Sequence, residues 1–334
     1  MDRVTSRWGR ILIQIILFLF AIYSVVPFIW TALQSIKTVR DAGSRIPKLL
    51  FTPTTENYED LWLRSTPANP EALAFFLLLA LVLLVGLLLF AQYIPGRRPL
   101  VYGLAVAGFT TLLWGIPQLL DTDRFYDFFM NTLIVTVGTI VISISIGCLA
   151  GYALARYIGL LGVFLLLAAL AFRALPRFAF VLPYYWIGSA LHLLDSRMLV
   201  IITLVAVNQP FTIWMLRSFF MEVPKDLEES AMVDGANRLT SFLNVIVPVA
   251  WPGIISTALF TLLLAYNEFL LVRVLTQTNW TLPVAISRFT GGEDPRHLTL
   301  AAAASVSATI PIIVVILLFQ KHLVKGLAAG AVKG

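Results

Sequence analysis

A run of about 20 apolar residues is long enough to cross the hydrocarbon core of a bilayer as a helix. This chain of 334 residues contains eight such runs, at 11–33, 73–94, 99–120, 130–153, 158–188, 198–220, 249–271 and 299–320. Only 13% of its residues are charged and 59% are hydrophobic, where a soluble domain carries about 25% charged residues. The apolar surface is too large for water to tolerate. The expected fold is an all-α integral membrane bundle of about eight transmembrane helices, with residues 1–334 forming a single membrane domain. Run 158–188 is over-long and contains Arg173, Pro176, Arg177 and Pro183, which predicts a kinked or broken helix. Arg3, Arg7 and Arg10 precede an apolar run too long for a signal peptide, so that run reads as a retained first span.

Several chemistries are excluded early. Cys148 is the single cysteine, so neither an intramolecular disulfide nor a cysteine-based metal site is open to the chain. His192 and His297 each stand alone, and no metal site is expected. The net charge of +6 is scattered over helix ends, not gathered into a stripe, which argues against nucleic acid. A membrane-embedded enzyme would need a nucleophile motif or carboxylates clustered with a histidine, and neither is present. Asp121 and Asp123, the nearest carboxylate pair, read as loop solvation. No P-loop is present, so nucleotide is not bound here.

Eight spans put both termini on one side, together with the polar loop 221–248. The 24 basic residues divide evenly between the two sides, so the positive-inside rule leaves orientation open. The loop itself is more informative. Pro224 suits a first helical turn, and Asp226, Glu228 and Glu229 suit its positive end. Gly235 stops that helix. A second helix follows with Leu239, Phe242, Leu243 and Ile246 on one face, closed by Pro248. From the residues alone, this is either a plain interfacial helix pair or a rigid knob offered to a soluble partner.

The spacing of Glu229, Ser230, Ala231, Gly235, Val245, Val247 and Pro248 resembles the coupling motif E-A-A-x3-G-x9-I-x-L-P of permeases in ATP-binding-cassette importers. Further segments resemble the carbohydrate branch, specifically the second permease of maltodextrin-type systems. They are TPTTENY from Thr52, the stretch Asn131–Arg156, AYNEF from Ala265 and the tail GLAAGAVKG from Gly326. The resemblance covers about 11–61 and 128–334. It implies a six-helix family core and a cytoplasmic coupling loop at 221–248, in which Glu229, Ser230, Ala231, Asp234, Gly235, Ala236 and Pro248 contact the ATPase. It implies a cytoplasmic tail, 321–334, with a second contact at Gly330 and Lys333; simple disorder of a chain end is the bland alternative. The implied partners are a second homologous permease, two ATPase subunits that carry ATP and Mg, an extracytoplasmic solute-binding protein and membrane lipid. The implied location is the inner membrane of a prokaryote, with both termini cytoplasmic. This chain binds no cofactor of its own on that reading.

One region departs from the family pattern. Residues 64–123 hold two extra apolar runs around the turn PGRRP, an inserted transmembrane hairpin whose even number of spans preserves the sidedness of everything after it. Ionisable and polar groups within spans are candidates for the translocation path: Arg173, Arg177, Tyr184, Asn208, Asn267 and Glu268. Arg173 and Arg177, four apart, are expected to share a helix face, either lining a path or pairing with carboxylates. Asn131, Asn208 and Gln209 also suit hydrogen bonds between helices. An ion- or proton-coupled secondary transporter is the alternative function; it needs Glu268 as its proton site and leaves the coupling motif unexplained.

Overall fold

The computed structural model describes residues 7–64, 108, 110–111, 113, 115–117, 120–156, 159–290 and 294–331. Most of the expected hairpin 64–123, and Lys333 of the tail, lie outside them. The described residues are helical without a strand. Five helices among them are long and apolar enough to span a bilayer: Ile11–Ser35, Arg124–Arg156, Arg197–Glu222, Arg238–Tyr266 and Pro295–Gln320. In lipid, each backbone polar group must be satisfied within its own segment, which selects helices.

The chain divides into two compact units, Met1–Tyr126 with Phe289–Val306 and Asp127–Arg288 with Ser307–Gly334. The first contains α1 (Arg7–Ser35), α2 (Val39–Ala42) and α3 (Glu56–Trp62). The Asn57 amide donates to the carbonyls of Ser35 and Lys37 at 2.9 and 2.8 Å, tying α3 to the end of α1. The ends of the insertion are held together. Arg64 N–H donates to Asp121 O at 2.8 Å, Asp123 N–H donates to Trp62 O at 2.9 Å, and Trp62 packs edge-on against Phe125 at 4.9 Å. The two ends of the expected hairpin therefore lie side by side.

The second unit is built on α4 (Arg124–Arg156), of which residues 127–156 belong to it. At 1.5 Å per residue, α4 is about 50 Å long and exceeds the roughly 30 Å apolar slab. Next come α5 (Leu160–Ala174) and α6 (Phe178–Ala190), the two pieces of the over-long run. Leu175 is extended at φ −64°, ψ 141°, as a residue before proline prefers. Arg173 and Arg177 consequently lie on different helices, which corrects the expectation of a shared face. Helix α7 (Arg197–Glu222) crosses α4 where a Cβ on Gly151 would meet the Arg217 nitrogen at 3.0 Å, so a side chain there would force the facing backbone to shift by a few tenths of an ångström, and glycine permits the close approach. Ser143 of α4 donates to Gln209 Oε1 of α7 at 2.9 Å, and the Gln209 amide returns a bond to Ser143 O at 3.2 Å.

After α7 come α8 (Lys225–Val233), α9 (Arg238–Ser241) and α10 (Val247–Tyr266). A second correction falls here. Pro248 does not close the second loop helix. Residues Phe242–Ile246 form a wide π turn, and the chain runs from α9 into α10 without interruption. The proline falls in the first turn of α10, where a missing N–H costs little. Run 249–271 also ends early, at Tyr266. The backbone breaks at Asn267 and restarts as α11 (Leu270–Leu275), followed by α12 (Leu282–Ile286). The last helix, α13 (Pro295–Ala331), continues past residue 321, so Gly330 is helical.

Candidate functional site

The loop 221–248 acquires its shape from local chemistry. Pro224 caps α8, and Asp234 ends it. Gly235 then takes φ +91°, with its N–H on Met232 O at 3.1 Å and the Ala236 N–H on Ala231 O at 3.0 Å. That pair of bonds is the Schellman cap, and its left-handed residue strains any L side chain. The Asn237 side chain caps α9 by accepting from Thr240 N–H at 2.8 Å. The result is two short helices joined by one fixed corner.

One face of this unit is buried and the other is bare. Glu228 points inward, and its carboxylate meets Arg156 Nε at 2.8 Å; the two side chains are only 9% and 15% exposed. The Tyr152 hydroxyl donates to the same carboxylate. The remaining guanidinium nitrogens of Arg156 donate to Phe220 O and Val223 O, both at 3.3 Å. Arg156 thus joins the end of α4, the end of α7 and the first turn of α8. Tyr152, Phe220 and Phe242 close the cluster with ring centroids 4.6 to 6.0 Å apart, which adds the π turn to the assembly. Outward, Val233 is 87% and Leu239 61% exposed, with Leu227 and Leu243 beside them in sequence also exposed. Glu229, Ser230, Asp234, Gly235 and Pro248 are solvent-exposed as well, and Ala231 and Ala236 half-buried. The outward face of the loop therefore presents apolar side chains over a pinned inner face.

The buried carboxylate is Glu228, not the motif residue Glu229. From sequence Glu228 reads only as one of three acids suited to the N-terminus of α8, and its pairing with Tyr152 and Arg156 is not foreseen. A signal was present: Tyr152 and Arg156 stand four apart on one face at the polar end of a span, opposite a pair of glutamates.

The candidate path residues are distributed unevenly. Arg177 caps α6, and its guanidinium lies 3.0 Å from Glu268, whose side chain is 7% exposed. Glu268 also accepts from Leu271 N–H at 3.2 Å, serving an orphan donor at the start of α11. This ion pair therefore bridges two helix breaks. Tyr184 packs half-buried against the core of α6, α7 and α11. Asn208 is 1% exposed, and Asn267 is exposed with its amide on Leu263 O at 2.9 Å. Arg173 lies in the last turn of α5. At the turn before α7, Asp195 stands at φ 60° and accepts from the N–H groups of Gln277, Thr278 and Asn279 at 2.8 to 3.0 Å. Burial alone would raise this carboxyl; the Thr278 hydroxyl and the three N–H groups overcome it and hold the group at about 2. Among the described residues no cluster of metal-binding side chains is present.

Comparison with known proteins fits this arrangement. Residues 143–329 match the family model of the binding-protein-dependent transport system inner membrane component, and the chain belongs to that family. It is the membrane-spanning permease of an ATP-binding-cassette importer, a class whose ATPase activity resides on separate subunits. The chain is 40% identical over 232 residues to the trehalose transport permease SugB of Mycobacterium tuberculosis, covering 66% of this chain and 84% of that one. It is 35% identical over 218 residues to the trehalose/maltose permease MalG of Thermococcus litoralis, covering 64% and 77%. A crystal structure of a bacterial transporter importing the acidic polysaccharide alginate superposes with TM-score 0.67 at 20% identity, over 96% of this chain and 99% of that one, which establishes the shared fold.

Proposed function

We propose that this chain forms half of the pore of a sugar importer and that loop 221–248 is the surface on which an ATPase subunit docks. The single observation that carries the docking assignment is the two-faced construction of the loop. Its inner face is pinned through Glu228 to Arg156, while its outer face bares Val233 and Leu239. A force applied to the outer face passes to α4, α7 and α10 without a flexible joint. ATP acts on transport only by favouring one of two pore states over the other. A loop rigidly joined to three spans gives the ATPase pair the leverage to do so.

On this reading both termini and the loop are cytoplasmic. A homologous permease completes the pore, two ATPases carry ATP and Mg, and an extracytoplasmic protein delivers the solute. The relatives' names point to di- and oligosaccharides as the substrate class. Arg177, Glu268, Tyr184 and Asn267 remain the candidates for the path, and Gly330 and Lys333 for a tail contact. The proton-coupled alternative loses ground, because Glu268 is engaged by Arg177 and by Leu271 N–H.

The test is purification of the tagged protein in mild detergent, with mass spectrometry of what accompanies it. An ATPase and a second permease with the wild type, and loss of the ATPase alone with Gly235→Asp, are the expected results. A wild-type protein that purifies alone across several detergents would refute the assignment.

A further inference from the structure

Beside the Arg156 anchor lies a cleft of about 340 Å³, lined among others by Leu154, Val163, Met221, Arg156, Arg217 and Lys225. Its lining holds three cations and no carboxylate. Arg156 is committed to Glu228 and to two carbonyls. Arg217 is not: its Nε donates to Leu154 O at 3.2 Å, and no ion pair among the described residues engages its two terminal nitrogens. Lys225 is exposed and likewise meets no carboxylate among them. It opens the nine-residue helix α8, whose N-terminus has no side-chain cap. The nearest acids in sequence, Glu222 and Asp226, do not line the cleft. The other walls are apolar, and Val163 and Met221 are about half exposed, at 50% and 48%.

We propose that this cleft binds a phosphate group, with Arg217 and Lys225 as its ligands and the apolar walls accepting the organic part of an anionic amphiphile. A guanidinium with a free fork is the side chain best matched to phosphate oxygens. The cleft lies where α4 and α7 end and α5 begins, and basic side chains at the ends of spans suit the anionic headgroup region of a bilayer. A water-soluble anion has no use for the exposed Val163 and Met221, whereas a phospholipid does. Because Arg156 shares the lining, the occupant would rest against the residue that anchors α8.

Native mass spectrometry of the full-length protein in mild detergent tests this without requiring transport, so its outcome is independent of the importer assignment. The probes are phosphatidylglycerol, phosphatidylcholine and inorganic phosphate. Each cation near an anionic headgroup is worth roughly five-fold in binding, so wild type should prefer phosphatidylglycerol by about 25-fold. Lys225→Gln, a change at an exposed side chain, should reduce the preference about five-fold, and Arg217→Gln with Lys225→Gln should abolish it. Retention of phosphatidylglycerol against an excess of inorganic phosphate assigns the site to lipid. Displacement by inorganic phosphate assigns the same ligands to a soluble phosphate. Equal binding of the two lipids by wild type, or an unchanged preference in Lys225→Gln and in the double variant, would overturn the proposal.

Discussion

Among its described residues the second unit contains two arginine–glutamate pairs, and their surroundings differ. Arg156–Glu228 is enclosed, with side chains 15% and 9% exposed, and the guanidinium also holds two backbone carbonyls while a tyrosine hydroxyl completes the carboxylate. Arg177–Glu268 is half open: the arginine is 37% exposed, the pair is a 3.0 Å charge contact, and the carboxylate's further bond goes to a single backbone N–H. The first pair joins continuous helices to a fixed corner. The second spans two places where helices are interrupted. The same ionic chemistry thus serves as an enclosed pin at one position and as a sparsely supported contact at the other.

The largest expected effect lies on the exposed side of the pinned region. Gly235→Asp places a side chain at φ +91° and a charge on the proposed docking corner, with no neighbouring atom within 4 Å of the added Cβ. Membrane insertion should survive and solute uptake should fall to background, read as radiolabelled solute in whole cells. Next comes Glu228→Ala. Removing one partner of a buried pair costs about 3 kcal/mol, because Arg156 stays buried without its counter-charge. The melting temperature of the purified complex should drop clearly, and uptake per ATP hydrolysed should fall with it. Glu268→Gln should behave in the opposite proportion. It leaves Arg177, which is 37% exposed and reaches water, and keeps an acceptor for Leu271 N–H, so it costs only about 1 kcal/mol and thermal melting should barely move while uptake changes. Equal stability losses for Glu228→Ala and Glu268→Gln would erase the distinction between the enclosed pin and the sparsely supported contact.

The smallest effect is expected at Asp195. The folded protein holds this carboxyl at about 2, below its ordinary 3.8, so its contribution is complete above about pH 4 and is lost as pH falls through 2. Asp195→Asn should therefore lower the melting temperature most at neutral pH, and the gap from wild type should close on acidification. A gap that widens at low pH would contradict the assigned hydrogen bonds.

Much of this was legible in the sequence, for reasons that differ by feature. The spans at 130–153, 198–220 and 299–320 are announced by composition alone, because lipid leaves a helix no alternative. The break at Leu175 is written in Pro176, and the corner at Gly235 in a residue that tolerates positive φ. Pro248 misled, because a proline marks the first turn of a helix as readily as its end, and the π turn before it leaves no sequence trace. The pairing of Arg156 with Glu228 bridges 72 positions, and that of Asp195 with Thr278 bridges 83. Such contacts follow from how spans pack, which local spacing does not encode. Glu229 drew attention because it carries the motif, yet its neighbour Glu228 makes the internal bond.

The central claim is that the outer face of loop 221–248 contacts an ATPase. The most direct measurement replaces Cys148 with serine, places a cysteine at Val233 and treats the purified complex with a short bismaleimide, using an ATPase subunit with native cysteines near its docking cleft. A crosslink from Val233→Cys to the ATPase, absent when the cysteine is placed instead at Gln277 in the exposed turn held by Asp195, is the expected result. A crosslink from Gln277→Cys and none from Val233→Cys would contradict it.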